Sequence, residues 1–260
     1  MITLCPVYVE PSVENEGNEV VRNSRNFDYS KMLDCLSESL RWHSDYVEFL
    51  VLTDGNTNVY GHDSFRVSLD NMTVMESFVH LQTLAVKERL SEGKMILTGC
   101  DHIVCGDLSN LFNGIDFDVA IGVRKNQGKV NDSLVVVNDG RPDKANDFFK
   151  RRLDHYNEMR QDERVWWGSQ DSYDKVIRSF KESDLWESKV YDMDGIKVYI
   201  YEYGGGWINN FKYKVNGSSE FMDEFMNNLP LIFDLKGNAK ADHSYWYKLF
   251  KRRFGEDRNN

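Results

Sequence analysis

The stretch KMILTGCDHIVCGDLSNLF, Lys94 to Phe112, decides how the rest of the chain is read. An apolar strand stops at Gly99-Cys100-Asp101, a second short apolar run follows, and a Gly106-Asp107-Leu108 turn closes the stretch. In α/β proteins ligands sit outside the carboxyl ends of parallel strands. A carboxylate placed where a buried strand opens into a loop is therefore positioned to hold a metal-bound ligand, and Asp101 is that carboxylate. The other reading of Asp101 is a solvated turn residue, since Asp is common at strand ends.

Upstream, Ile2 to Val9 reads as a first strand broken by Pro6, and the polar stretch Pro11 to Arg25 as a mobile loop. Asp28 can cap a helix in which Leu33, Leu36 and Leu40 share a face, and Val47 to Thr53 forms a second strand ending at Asp54-Gly55. A short strand at Phe65 to Val67 precedes a helix from Val74 to Leu90, with Phe78, Leu81 and Ala85 on one side and Gly93 as its stop. Downstream come a buried strand, Phe117 to Val123, ending at Arg124, a loop over Lys125 to Lys129, and a strand over Leu134 to Val137. Asp143 to Arg160 is a charged amphipathic helix, Gln170 to Phe180 a shorter one, and Val198 to Tyr201 a late strand before Gly204-Gly205-Gly206-Trp207. This alternation predicts an α/β fold: a central, mainly parallel mixed sheet flanked by helices, with antiparallel strands in the second half.

Three later segments join Asp101. Asn131-Asp132-Ser133 opens the strand that ends at Asn138; Trp166-Trp167-Gly168-Ser169-Gln170-Asp171 follows; and Ile232-Phe233-Asp234-Leu235-Lys236-Gly237-Asn238-Ala239-Lys240 lies near the end. In that order and spacing they resemble the GT-A glycosyltransferases of the glycogenin and bacterial galactosyltransferase type, glycosyltransferase family 8. The family's strand-ending Asp-x-Asp and Gly-Asp-Leu turn resemble Gly99-Cys100-Asp101 and Gly106-Asp107-Leu108. Its Asn-Ser/Ala-Gly strand resembles Asn131 to Val137, its Asp-Gln-Asp helix start resembles Ser169-Gln170-Asp171, and its His-Phe-x-Gly-x-x-Lys motif resembles Asp234 to Lys240. The resemblance runs from residue 1 to about residue 245 by order of motifs. The chain departs from it at Gly99, where the family has Asp, at Asp234, where it has a metal-binding His, and at Ser169, where it has Asp.

The resemblance implies a GT-A, Rossmann-like nucleotide-diphospho-sugar transferase fold and a metal-dependent transfer from a nucleotide sugar, UDP-sugar favoured, with retention at the anomeric carbon. Asp101 and Asp234 then become ligands to Mn²⁺ or Mg²⁺, hard oxygen donors suiting either ion and carboxylate in place of imidazole favouring the harder one. Pro6, Val7 and Tyr8 would meet the base, with Asp54 beside it and Cys100 next to the metal-binding Asp. Lys240 would neutralise the diphosphate or is a surface lysine. Gly237 would let backbone approach phosphate or is a plain turn. Gln170 and Asp171 would stand near the anomeric carbon and acceptor; Asp171 is equally read as a first-turn Asp complementing the helix dipole. Asn131 and Asp132 could bind sugar hydroxyls or cap the strand, and Arg124 could reach phosphate or pair with a surface carboxylate. His102 alternates away from Asp101 and reads as structural, with His243 as a back-up ligand. Rival readings are a sugar nucleotidyltransferase, against which stands the acidic stretch Pro11 to Arg25 where a basic Gly-rich loop is needed, and a non-catalytic nucleotide-sugar binding protein.

Composition narrows the class. A 260-residue chain with 41% hydrophobic and 28% charged residues builds a single large core. Residues 1–244 read as the GT-A domain and 245–260 as a basic, aromatic tail. The net charge of −10 argues against an extended nucleic-acid footprint, though one diphosphate needs only a metal, a few amides and one or two cations. Cys5, Cys35, Cys100 and Cys105 lack paired spacing and read as reduced, buried thiols. With no signal-like start and no apolar run of membrane-spanning length, the expectation is a cytoplasmic protein. Tyr245 to Phe254 mixes aromatics with Lys and Arg, and reads either as a peripheral contact to an anionic membrane or as a terminal helix packed on the domain.

Overall fold

The computed structural model describes residues 1–10, 27–69, 72–164, 167–179, 187–209, 228–235, 240 and 242–255. Its strands are β1 (Ile2–Val7), β2 (Glu48–Phe49), β3 (Val51–Asp54), β4 (Ser64–Val67), β5 (Lys94–Gly99), β6 (His102–Val104), β7 (Val119–Arg124), β8 (Lys129–Val137), β9 (Lys189–Met193), β10 (Ile196–Glu202), β11 (Ile208–Asn209) and β12 (Ile232–Asp234). Its α-helices are α1 (Tyr29–His43), α2 (Val74–Arg89), α3 (Pro142–Glu158), α4 (Gly168–Ser179) and α5 (His243–Phe250).

The main sheet has the order β4-β3-β1-β5-β8-β7-β10-β9, with β2 also paired to β1. β4, β3, β1 and β5 run parallel, β8 runs antiparallel between β5 and β7, and β10 lies parallel to β7. Because β8 is reversed, its first residues stand beside the carboxyl ends of β5 and β7, where ligands bind in such sheets. A second sheet, β11-β12-β6, sets β6 antiparallel to β12 with His102 opposite Asp234.

Helices α2, α3 and α4 cover one face, burying Leu81, Ala85, Phe148, Phe149, Tyr173 and Val176 against the β-branched residues of β7, β8 and β10. A Thr73–Glu76 capping box starts α2, as the Thr-x-x-Glu spacing demands. On the other face Leu36 and Leu40 of α1 pack with Ile96, Ala120, Val136 and Ile232. Removing a ring as buried as Phe148 costs about 3–5 kcal/mol.

The structure corrects several expected boundaries. β1 runs through Pro6. Leu4 accepts from Leu50 and Tyr8 donates to Leu52, so Pro6, in phase with both, turns its missing donor toward the break between β2 and β3. The single strand expected over Val47 to Thr53 is two strands separated at Leu50. β8 begins at Lys129, five residues before the expected strand, because a register slip pairs Ile121 with Val135 but Gly122 with Asn131. Residues 132–134 thus leave the β7 ladder as a bulge. Gly122 is required there: a Cβ would sit 2.9 Å from the Tyr201 ring, whose hydroxyl donates to Leu134 O at 2.5 Å. β9 is an addition to the expected strands, and the loop expected over Pro11 to Arg25 lies outside the described residues.

The C-terminal aromatics belong to the fold. Trp246 and Phe250 of α5 are buried with Phe233, Leu235 and Ile103. Tyr247 stacks on Trp42 and donates to Glu38, which also pairs with Lys251. This is the packed terminal helix rather than a free tail, and the expected boundary at 244/245 falls inside α5. Among the described residues no helix is long and apolar enough to cross a membrane.

Candidate functional site

The carboxyl end of β5 brings together Asp101, His102 and Asp234. β5 ends at Gly99, the chain turns, and β6 starts at His102, so the strict alternation that put His102 on the far face no longer holds. Pairing of β6 with β12 delivers Asp234 directly across from His102, while Leu235 N donates to Asp101 O at 3.0 Å and ties the two segments.

The hydrogen bonds fix the His102 tautomer. Nδ1 lies 3.0 Å from the Gly99 carbonyl and 3.0 Å from the Thr98 hydroxyl oxygen. Thr98 donates its own proton to Ser133 O at 2.9 Å, so both neighbours of Nδ1 accept. The ring proton of the neutral imidazole therefore sits on Nδ1, and Nε2 keeps its lone pair. Nε2 is buried, has no hydrogen-bond partner, and lies 3.6 Å from Asp234 Oδ1. With the ring in this neutral form, a cation between Nε2 and Oδ1 would satisfy both atoms. With ligand atoms of the three residues all within 4.8 Å of one another, the set of two carboxylates and one imidazole fits a divalent ion. His102, read from sequence as structural, is thus a candidate ligand, held in place by Thr98 and Gly99 as ligating imidazoles are. His243, the back-up, is not among the three; burial, aided by Lys31, pushes its pKa down to about 4.

Around this cluster stand Arg124 and Lys240, expected from the sequence, and two tyrosines, Tyr203 and Tyr29, that the sequence does not point to. Tyr203 donates to Asp234 Oδ2 at 2.6 Å; burial and then Asp234 hold its phenol protonated. The Arg124 guanidinium lies 5.1 Å from the Tyr203 ring centre and bonds to Gln127, so it braces this tyrosine. Lys240 Nζ lies 2.8 Å from Asp101 Oδ2 and donates to Tyr29 OH at 3.1 Å. Burial works against this ammonium, yet Asp101 and Tyr29 outweigh it and hold its pKa above the ordinary lysine value. The surface reading of Lys240 is thereby overturned. Gly99, where the resembling family has Asp, leaves room for Asp101: a Cβ there would meet Asp101 Oδ1 at 2.7 Å.

Pro6 and Val7 pair with Thr98 and Gly99, which puts them at the same end of the sheet. The Tyr8 amide is committed to Leu52 and its ring packs with Leu33, Val51, Val59 and Cys100, so Tyr8 and Cys100 are core residues and burial pushes the Cys100 thiol up to about 12. Asp54 accepts from the amides of Asn56 and Thr57, which organises its own turn. Asn131 is buried, accepts from Ser133 N, and keeps a buried Nδ2 without a hydrogen-bond partner beside the bulge that carries Asp132. Gly237 lies outside the described residues.

Gln170 and Asp171, in the first turn of α4, line a small open cleft with Lys129, Val130, Trp167 and Asp174. Burial raises the Asp171 carboxyl, with Lys129 acting against it. Beneath this turn lies Arg152, fully buried. Its guanidinium donates to Gln82 at 2.8 Å, Ser169 at 2.8 Å and Ser172 at 3.3 Å, and stacks 3.8 Å from the Tyr173 ring centre. All these partners are neutral. The signal was in the sequence: Ala145, Phe148, Phe149, Arg152 and Tyr156 share one helical stripe, so Arg152 had to be buried with them.

No protein-family model matches the sequence, and no curated protein does. Solved structures do match. The glycosyltransferase GlyE of Streptococcus pneumoniae TIGR4, in its apo form, is 14% identical with a TM-score of 0.52, over 98% of this chain and 63% of that one. A second GlyE structure gives 13% and 0.53, over 98% and 64%. The fold is GT-A. The chain spans slightly less than two thirds of GlyE's length. LgtC, a galactosyltransferase solved with donor and acceptor sugar analogues, aligns at 12% identity and a TM-score of 0.49. Thr98, near the end of β5, bonds to both His102 of the cluster and Ser133 in the bulge of β8, the strand whose first residues, Lys129 and Val130, line the cleft.

Proposed function

We propose that this protein is a metal-dependent glycosyltransferase that moves a sugar from a nucleotide-diphosphate donor, with a UDP-sugar favoured, to an acceptor hydroxyl, retaining anomeric configuration as glycosyltransferase family 8 does. The observation that carries the reading is the Asp101–His102–Asp234 group beside Lys240, at the carboxyl end of β5 where a diphosphate is expected in a GT-A sheet. His102 returns an imidazole to a site that the sequence supplied with carboxylates alone, which favours Mn²⁺ over Mg²⁺.

In this reading a bound divalent ion supplies Lewis-acid stabilisation of the departing diphosphate. Lys240, able to turn from Asp101 to phosphate, adds positive charge to the same oxygens. Tyr203 and Thr98 hold Asp234 and His102 in place. Asn131 and Asp132 offer polar groups to the sugar, and Pro6 and Val7 approach the base through backbone. Gln170 and Asp171 orient the acceptor in the cleft, where Trp167, half exposed, gives an apolar face for a ring to lie on.

The test is nucleoside-diphosphate release from a panel of UDP- and GDP-sugars with Mn²⁺ or with chelator. Release from one UDP-sugar that vanishes with chelator is the expected result. Tight UDP binding without release from any donor would favour the binding-protein alternative, and diphosphate formation from a nucleoside triphosphate and a sugar phosphate would favour the nucleotidyltransferase.

A further inference from the structure

Lys240 sits where a phosphate-binding lysine should not rest if its only partner were phosphate. Its Nζ lies 2.8 Å from Asp101 Oδ2 and 3.1 Å from the Tyr29 hydroxyl, with its side chain only 11% exposed. Tyr29, at the start of α1, completes the pocket by placing its ring 4.9 Å from the ammonium. Asp101 is at the same time one of the three residues whose ligand atoms cluster around the cation position. One carboxylate therefore faces two claims by positive charge.

We propose that Lys240 is an internal counter-ion that occupies Asp101 until a nucleotide diphosphate draws it away, so that cation and diphosphate bind as a coupled pair. This rests on the metal-site reading above. With Lys240 in place, an ammonium already sits on Asp101, one of the residues whose ligand atoms surround the cation position. A divalent ion then meets an Asp101 carboxylate already balanced by Lys240, next to a like charge that repels it. A diphosphate changes both terms: its oxygens add ligands to the ion, and its charge gives the ammonium a stronger partner than Asp101. Linkage makes the effect reciprocal, so the ion raises diphosphate affinity by the factor by which the diphosphate raises the ion's.

The experiment counts free Mn²⁺ by electron paramagnetic resonance in titrations of the intact protein with Mn²⁺ alone, then repeats them with UDP present. The parent is compared with Lys240→Met, with Lys240→Gln, which keeps hydrogen-bond donors for Tyr29 and Asp101 without the charge, and with Lys240→Arg, which keeps the charge. The inference predicts that the two neutral variants bind Mn²⁺ alone about tenfold more tightly than the parent, and that Lys240→Arg stays near the parent. UDP should enhance Mn²⁺ binding less in the neutral variants than in the parent. If Lys240 were only a phosphate contact, its neutral variants would lose UDP affinity with Mn²⁺ affinity unaltered, which overturns the inference and leaves the metal reading intact. Absence of Mn²⁺ binding in every protein, with and without UDP, overturns both. Should Lys240→Met not fold, the Lys240→Gln titration decides alone.

Discussion

His102 and Asp234 face each other across the antiparallel pair of β6 and β12, with Nε2 3.6 Å from Oδ1. The resembling family takes its imidazole from the position of Asp234. Here the imidazole stands directly opposite, and in the proposed reading His102 and Asp234 face one cation position from the two strands.

That exchange predicts the behaviour of His102→Phe. The ring shape survives, both nitrogens go, and Gly99 O loses a donor, at a stability cost of about 1–2 kcal/mol. Mn²⁺ affinity should fall at least tenfold, measured by titration of the folded variant. Unchanged affinity would return His102 to the structural role first read for it.

Much of the candidate site was legible because its positions follow strand ends. Asp101 and Asp234 are marked by apolar runs that stop, and Gln170 and Asp171 by a helix start. The parallel sheet followed from βα alternation in the same way. What escaped depends on contacts between distant segments. Alternation puts His102 on the face away from Asp101, whereas the turn at Cys100-Asp101, where one strand ends and another begins, brings the two together. Tyr203 meets Asp234 only after β12 pairs with β6 and β11, and the early start of β8 needs the register slip at Gly122. Pro6 looked like a strand breaker because a lone sequence does not show that its neighbouring strand breaks at the same level.

Arg152 carries the second prediction. A buried guanidinium whose hydrogen-bond partners are Gln82, Ser169 and Ser172 has no carboxylate among them, Asp132 acting on its charge only from beyond hydrogen-bonding reach. Placing a carboxylate at Ser169, whose hydroxyl now lies 2.8 Å from Nη2, gives that charge a direct partner. Ser169→Asp should therefore raise the melting temperature, whereas Arg152→Met should cost about 2–4 kcal/mol by leaving several polar groups unmatched. Thermal denaturation of both variants checks this; a lowered melting temperature in Ser169→Asp would contradict the picture of an unbalanced buried charge.

Acid sensitivity follows from His243. Its folded-state pKa is lowered from 6.5 to about 4, by burial first and then by Lys31. As pH falls the unfolded chain takes up this proton before the folded one does. The stability that goes with a neutral His243 is complete above pH 6.5 and declines as pH drops toward 4, by up to about 3 kcal/mol in that window. Urea denaturation of the parent at pH 7 and pH 4.5 should show the loss, and His243→Phe should reduce it by a similar amount. An equal pH dependence in both proteins would place the sensitive group elsewhere.

The central claim is that the carboxyl end of β5 binds a nucleotide diphosphate through a cation held by Asp101, His102 and Asp234. Calorimetric titration of UDP into the parent and into Asp101→Asn, each with Mn²⁺ and with chelator, tests it most directly. The account predicts binding to the parent that strengthens at least tenfold with Mn²⁺, and no Mn²⁺ enhancement in Asp101→Asn. Equal UDP affinity in all four titrations, or no UDP binding to the parent with Mn²⁺ present, would contradict it.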